Sequence, residues 1–170
     1  MPFRPLSTPI RVLHVDDDEY QLSMTRDLIR TFDPGIEIES LSNPLEALER
    51  LRDKSYDCII VDFKMPNMDG VELSRNIRKE NTIPIILYTG QGSEEVAEEA
   101  FMVGINDYFR KETNPQHYQV IAKRIRYIVE KQRIERVYTN IVKDAKESIV
   151  IIVREKIVFV NEAFIRLIGT

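Results

Sequence analysis

The chain has 170 residues, of which 43% are hydrophobic and 31% charged, and a formal net charge of −4 at pH 7. That length accommodates one well-buried domain and part of another, and the balance excludes a disordered or membrane-embedded chain. The mild acidity gives no support to nucleic-acid binding, which requires a concentrated basic face.

Residues 1–9 carry Pro2, Pro5 and Pro9 but no apolar stretch of signal-peptide length, and read as a flexible leader. No later segment approaches the roughly 20 apolar residues of a membrane span. The single cysteine, Cys58, excludes an intrachain disulfide, and with only His14 and His117 beside it a zinc site is unsupported. Cys58 lies in an apolar run, so a buried, reduced thiol and a cytoplasmic location are expected.

From there short apolar runs alternate with longer amphipathic ones, the pattern of a parallel sheet covered by helices on both faces. A strand over Arg11–Val15 runs into the acidic stretch Asp16, Asp17, Asp18, Glu19, and a helix follows over Tyr20–Thr31. The turn Asp33-Pro34-Gly35 leads to a strand over Ile36–Leu41, and Asn43-Pro44 opens a helix over Leu45–Asp53. A third strand, Cys58–Val61, ends at Asp62 and is followed by a helix over Val71–Lys79. The fourth strand is Ile83–Tyr88; Ser93, followed by Glu94 and Glu95, caps a helix over Glu94–Val103; and a short fifth strand covers Asp107–Phe109. Near-continuous aliphatics in the first, third and fourth strands mark them as central. The fold class is therefore α/β, a doubly wound five-stranded parallel sheet.

The last helix starts near Gln116. Its first apolar stripe, Tyr118, Ile121, Ile125 and Ile128, fits packing on the sheet, and after Glu130-Lys131-Gln132-Arg133 a second stripe begins with Ile134, Val137 and Ile141. One continuous helix that leaves the domain and pairs with a second copy is expected, the alternative being two helices joined by a kink. Beyond Glu147, Ile149–Val153 and Ile157–Val160 flank Arg154-Glu155-Lys156 as a hairpin, and Asn161 caps a short helix through Leu167. The expected organisation is a leader over 1–9, a main domain over 10–128, a helical linker over 129–147 and, over 148–170, the opening fragment of a second domain.

Three acids fall where strands end. Asp16 and Asp17 follow the first and Asp62 the third, and a doubly wound sheet binds ligands outside the carboxyl ends of its strands where the winding reverses. Two carboxylates about 5 Å apart repel by roughly 3 kcal/mol at an effective dielectric of about 20, so a cluster of three needs a cation. Mg²⁺, which takes oxygen ligands and keeps several waters, suits such a site awaiting a phosphoryl group. The other reading of Asp16 to Glu19 is a solvated acidic loop that caps the next helix; a calcium loop lacks its later acids and glycine. Thr89 ends the fourth strand with a hydroxyl for a phosphoryl oxygen, and Lys111 follows the fifth with an ammonium for the same group, although each residue taken singly also fits a structural role.

With these residues in order the chain resembles a response-regulator receiver of two-component signalling, over about 115 to 120 residues. The acidic pair matches Val15-Asp16-Asp17, the phosphoacceptor motif matches Asp62 to Gly70, the switch hydroxyl Thr89 and the lysine Lys111, while Tyr108 falls at the switch aromatic. The resemblance implies a flavodoxin-like strand order 2-1-3-4-5 and Mg²⁺ or Mn²⁺ held by Asp16, Asp17, Asp62 and the backbone carbonyl of Lys64. It also implies Asp62, Thr89 and Lys111 as the transfer residues, and a histidine kinase or phosphotransfer protein as partner. One departure is Glu112, where the family usually has a proline, often after a cis bond; a cis peptide before a non-proline residue costs about 2.5–4 kcal/mol, so a trans bond is expected. Residues Ile157 to Phe164, with Leu167 and Gly169, resemble the opening of a PAS sensor domain. Receiver followed by PAS is similar to the front of archaeal and bacterial sensor kinases.

Two other functions compete. A phosphatase using Asp62 as nucleophile, as in haloacid dehalogenase-like folds, needs a second carboxylate at position 64, which is Lys64. An unphosphorylated dimerisation scaffold has no need of all five of Asp16, Asp17, Asp62, Thr89 and Lys111. Phosphate-loop and dinucleotide readings fail because Gly90-Gln91-Gly92 lacks their further glycine and lysine.

Overall fold

A computed structural model of the chain describes residues 8–90 and 94–169. In order the elements are β1 Ile10–Val15, α1 Glu19–Phe32, β2 Ile36–Leu41, α2 Pro44–Asp53, β3 Cys58–Val61, α3 Gly70–Glu80, β4 Ile85–Thr89, α4 Glu94–Met102, β5 Asp107–Arg110, α5 Pro115–Asp144, β6 Val150–Val153, β7 Lys156–Val160 and α6 Glu162–Ile168. The expected cap at Ser93 lies outside the described residues.

β1 to β5 form one sheet in the order β2-β1-β3-β4-β5 with every pairing parallel, as expected. Strand alternation divides the core between its faces. Leu13, Val15, Ile59, Val61, Ile85 and Leu87 pack with Ala47, Leu73, Ile77 and Ala100 of α2, α3 and α4. Val12, Cys58, Ile60, Ile86 and Tyr88 pack with Ile29 of α1 and Tyr118, Ile121, Ala122 and Ile125 of α5. Reversal of the winding between β1 and β3 opens the crevice used by ligands in such sheets.

β4 starts two residues later than the sequence suggests. Pro84 has no N–H, the Ile83 N–H donates to Asn81 Oδ1 at 2.9 Å, and the Ile83 carbonyl accepts from Arg78 at 2.6 Å. Arg78 also donates to the Gly104 carbonyl and Asn106 Oδ1, tying the end of α3 to the loop before β5. A second arginine, Arg126, holds Asp33 through two bonds of 2.7 Å and fastens the α1–β2 turn to α5.

The chain divides into two compact units, the boundary falling between Val129 and Glu130, inside the 30-residue α5. In the second unit β6 and β7 form an antiparallel hairpin whose tip residues, Arg154 and Glu155, have φ of 48° and 64°, the sign a tight two-residue turn requires. Asn161 organises this unit. Its Oδ1 accepts from the Ile149 and Phe164 N–H groups at 2.8 and 3.1 Å, and its Nδ2 donates to the Glu147 and Ala145 carbonyls at 2.8 and 3.3 Å. The expected cap is thus also the joint between hairpin and helix. Along α5 the exposed apolar residues here are Ile134, Tyr138 and Ile141, whereas Val137 is half-buried.

Candidate functional site

Backbone bonds fix the two strand ends that carry the acids. The Asp16 N–H donates to the Leu41 carbonyl at 3.1 Å, and the Asp62 N–H to the Val15 carbonyl at 2.8 Å, so both residues are set in register with the sheet. Asp16 and Asp62 are buried, Asp17 is exposed, and the three offer carboxylate oxygens within 4.8 Å of one another.

The acidic run divides its labour. Asp18 is the N-cap of α1, its Oδ1 accepting from the Tyr20 and Gln21 N–H groups at 2.9 and 3.3 Å, while its own N–H donates to Asp16 Oδ1 at 3.0 Å. Capping therefore falls to Asp18 and leaves Asp16 and Asp17 to the crevice.

Lys111 reaches the same place from the far edge. Its N–H donates to the Thr89 carbonyl at 2.8 Å, and its Nζ lies 2.6 Å from Asp16 Oδ2 and 3.1 Å from Asp62 Oδ1. Burial raises both carboxyls above their ordinary values, against the pull of Lys111. Burial also works to lower the lysine, but Asp16 and Asp62 outweigh it and leave the ammonium raised. The peptide between Lys111 and Glu112 is trans.

The loop after β3 is shaped around Asp62. The Lys64 N–H donates to Asp62 Oδ2 at 3.2 Å, Asn67 turns the chain with φ of 69°, and the Gly70 N–H returns to the Phe63 carbonyl at 2.8 Å. Thr89 is buried at the end of β4, and Tyr108, paired in register with Leu87, packs half-buried on the α2–α4 side of the sheet. By alternation Thr89 points to that same side.

Two residues of the crevice floor escaped the sequence reading. His14 is fully buried with Nε2 3.9 Å from Asp16 Oδ2, and burial, then the Lys111 charge, pushes it down to about 3, leaving it neutral. Tyr88 lies with its ring centroid 6.0 Å from Lys111 Nζ. For His14 the signal is in the sequence, since it stands two residues before Asp16 and so shares its face of β1.

Fold and crevice together define a class, the doubly wound module that gathers a carboxylate at the end of its third strand, an acidic pair after its first and a lysine after its fifth. The chain belongs to the response regulator receiver domain family, whose family model matches residues 12–126. It is 33% identical over 106 residues to the uncharacterized transcriptional regulatory protein YclJ of Bacillus subtilis, covering 62% of this chain and 46% of that protein. It is 31% identical over 110 residues to the cyclic di-GMP phosphodiesterase response regulator RpfG of Xanthomonas campestris, covering 63% of this chain and 29% of that one. The chain thus spans less than half the length of these two relatives. Among solved structures, a CheY-like receiver domain protein from Methanospirillum hungatei superposes with a TM-score of 0.67 at 26% identity, covering 75% of this chain and 99% of that one. The chemotaxis response regulator CheY4 of Vibrio cholerae gives 0.63 at 30% identity, covering 69% and 99%.

As a metal site the crevice fits a hard divalent ion. Its side-chain donors are all carboxylate oxygens, two of them buried, and their mutual repulsion is what such an ion relieves. No helix among the described residues is long and apolar enough to cross a membrane.

Proposed function

We propose that this receiver takes a phosphoryl group from a phosphohistidine on a histidine kinase or phosphotransfer protein, on Asp62. An Asp62 oxygen forms the new bond to phosphorus as the phosphorus–nitrogen bond breaks, and the electron pair goes to the imidazole, which takes up a proton from water. Asp16, Asp17, Asp62 and the Lys64 carbonyl would hold Mg²⁺ or Mn²⁺, which supplies charge neutralisation for the phosphoryl oxygens. Thr89 and Lys111 receive those oxygens, and Thr89 with Tyr108, on one side of the sheet, carries the switch. The observation that carries this reading is the meeting of Asp16, Asp17 and Asp62 within 4.8 Å, with the Lys111 ammonium between the two buried acids.

Label from acetyl phosphate should appear only with Mg²⁺ and be removed by hydroxylamine, as an acyl phosphate is. In Asp17→Ala the Mg²⁺ midpoint should rise about 10- to 100-fold, the usual cost of weakening a metal's support. Label that resists hydroxylamine, or an unchanged midpoint, defeats the corresponding assignment.

The domain limits belong to the same proposal: leader 1–9, receiver 10–128, linker 129–147 and a PAS-like opening over 148–170. The β6–β7 hairpin followed by an Asn161-capped helix supports the last of these, and the coding sequence after codon 170 tests it. The exposed Ile134 and Ile141 support a homodimer through α5. Sedimentation at tens of micromolar of the full chain and of a chain ending at Ile128 checks it: a dimer is expected only for the full chain, and two monomers refute it.

A further inference from the structure

Lys111 must hold its ammonium in place while its partner on Asp62 changes from a carboxylate oxygen to a phosphoryl oxygen. Its loop gives little help, because Lys111-Glu112-Thr113-Asn114 contains no proline to fix a φ angle. The Asp62 oxygen that it now faces at 3.1 Å is on the group to be modified.

Tyr88 does not change. It is 1% exposed, held in β4 opposite Phe109, and its ring stacks on His117 at 5.9 Å and 23° and meets Tyr118 edge-on at 6.2 Å. His117 is itself met edge-on by Phe109 and Tyr118. The start of α5 is pinned by Asn114, whose carbonyl accepts from the His117 N–H at 3.0 Å and whose Oδ1 accepts from the Gln116 N–H at 3.1 Å. An aliphatic residue would satisfy the burial of this strand position, as Ile86 and Leu87 do before it. The aromatic ring adds a negative face within reach of a cation. The Lys111 side chain is only 15% exposed, so little water competes for its charge. Burial pushes the Tyr88 phenol up, so the ring stays neutral.

The geometry points to Tyr88 as a positioning residue for phosphoryl transfer, its ring being the fixed platform that aims the Lys111 ammonium at the group on Asp62. This rests on the phosphoacceptor reading above. His117, stacked on that platform, and Tyr118, edge-on to it, carry the same constraint to the first turns of α5.

The test uses the full chain with Mg²⁺ and acetyl phosphate. Tyr88→Phe keeps the ring and should label within about twofold of wild type, whereas Tyr88→Leu should label about three- to fivefold more slowly, the scale of one cation–π contact. Mg²⁺ affinity by calorimetry should be equal or higher in Tyr88→Leu, because a loosened ammonium competes less for Asp16 and Asp62; a general loss of structure would lower both. Fluorinated phenylalanines at position 88, which keep the ring's shape and drain its face, should slow labelling stepwise with fluorine number, and they decide the matter if Tyr88→Leu fails to fold. Labelling independent of fluorination overturns the platform role. If wild type itself takes no label on Asp62, the phosphoacceptor reading fails. The platform is then judged by the ring-current shift of the Lys111 side-chain protons, expected in wild type and Tyr88→Phe and lost in Tyr88→Leu; no difference overturns it.

Discussion

Asp62→Asn is expected to abolish phosphoryl labelling while making the metal-free fold more stable at neutral pH. The amide has nearly the shape of the carboxylate and keeps an oxygen for the Lys64 N–H, which now donates to Oδ2 at 3.2 Å. It has no anionic oxygen to attack phosphorus. The stability gain follows from the direction of the Asp62 shift. Burial raises the folded value above 3.8, so at neutral pH the ionised form is disfavoured more in the folded protein than in the unfolded chain. The wild type therefore gains stability from this group as pH falls through the raised folded value, and the gain is complete below the unfolded one. The asparagine variant carries no such dependence and starts from the neutral state. Urea midpoints should accordingly be higher for the variant at pH 7, with the gap closing between the raised folded value and 3.8. Intact mass after acetyl phosphate and Mg²⁺ reads the labelling. Equal labelling of both proteins removes Asp62 as acceptor, and a lower midpoint at pH 7 removes the burial argument.

Gly70→Ala should lose stability and labelling together. A Cβ at this first residue of α3 would stand 2.2 Å from the Asp62 carbonyl oxygen and 3.0 Å from both the Asp62 carbonyl carbon and Val61 Cγ1. None of these atoms can yield. Asp62 follows β3, which is paired on both sides, and α3 is held by buried Leu73, Ser74 and Ile77 and by the Asp69 cap on the Glu72 N–H at 2.8 Å. The helix gains from alanine, which is better than glycine by up to about 1 kcal/mol in a helix interior and less at its first residue. Forced overpacking costs about 1–3 kcal/mol or more and outweighs it, leaving a net loss of roughly 2 kcal/mol. Because the displaced backbone is that of Asp62, the proposed acceptor, labelling should slow on the order of 10- to 100-fold, as misplacement of a reacting group by about 1 Å does. A urea midpoint and a labelling rate both equal to wild type would show that α3 has more room than its contacts allow.

The elements of the receiver were legible in the sequence because their signals are local. Continuous aliphatics in Cys58–Val61, the three- and four-residue spacing of Tyr118, Ile121 and Ile125, and the Asn43-Pro44 and Asn161 caps each act within about one turn or a few strand residues. The resemblance carried by Asp16, Asp17, Asp62, Thr89 and Lys111 gave the family for the same reason, since ordered motifs survive in the linear chain. What the chain alone left open were relations across it. Asp18 rather than Asp16 caps α1 because Asp16 is fixed by the Leu41 carbonyl and turned into the crevice. Lys111 joins Asp16 and Asp62 only because β5 lies beyond β4 and β3 in the sheet. His14 and Tyr88 come beside Asp16 and Lys111 only once β1 and β4 lie in one sheet, either side of β3, with these side chains turned to the same face of it. Tyr138, not Val137, joins Ile134 and Ile141 on the exposed face of α5, because exposure depends on what the helix packs against and not on its spacing alone. Periodicity fixes which residues share a face; only the order of strands and the packing of helices decide what that face meets, because those contacts join residues dozens of positions apart.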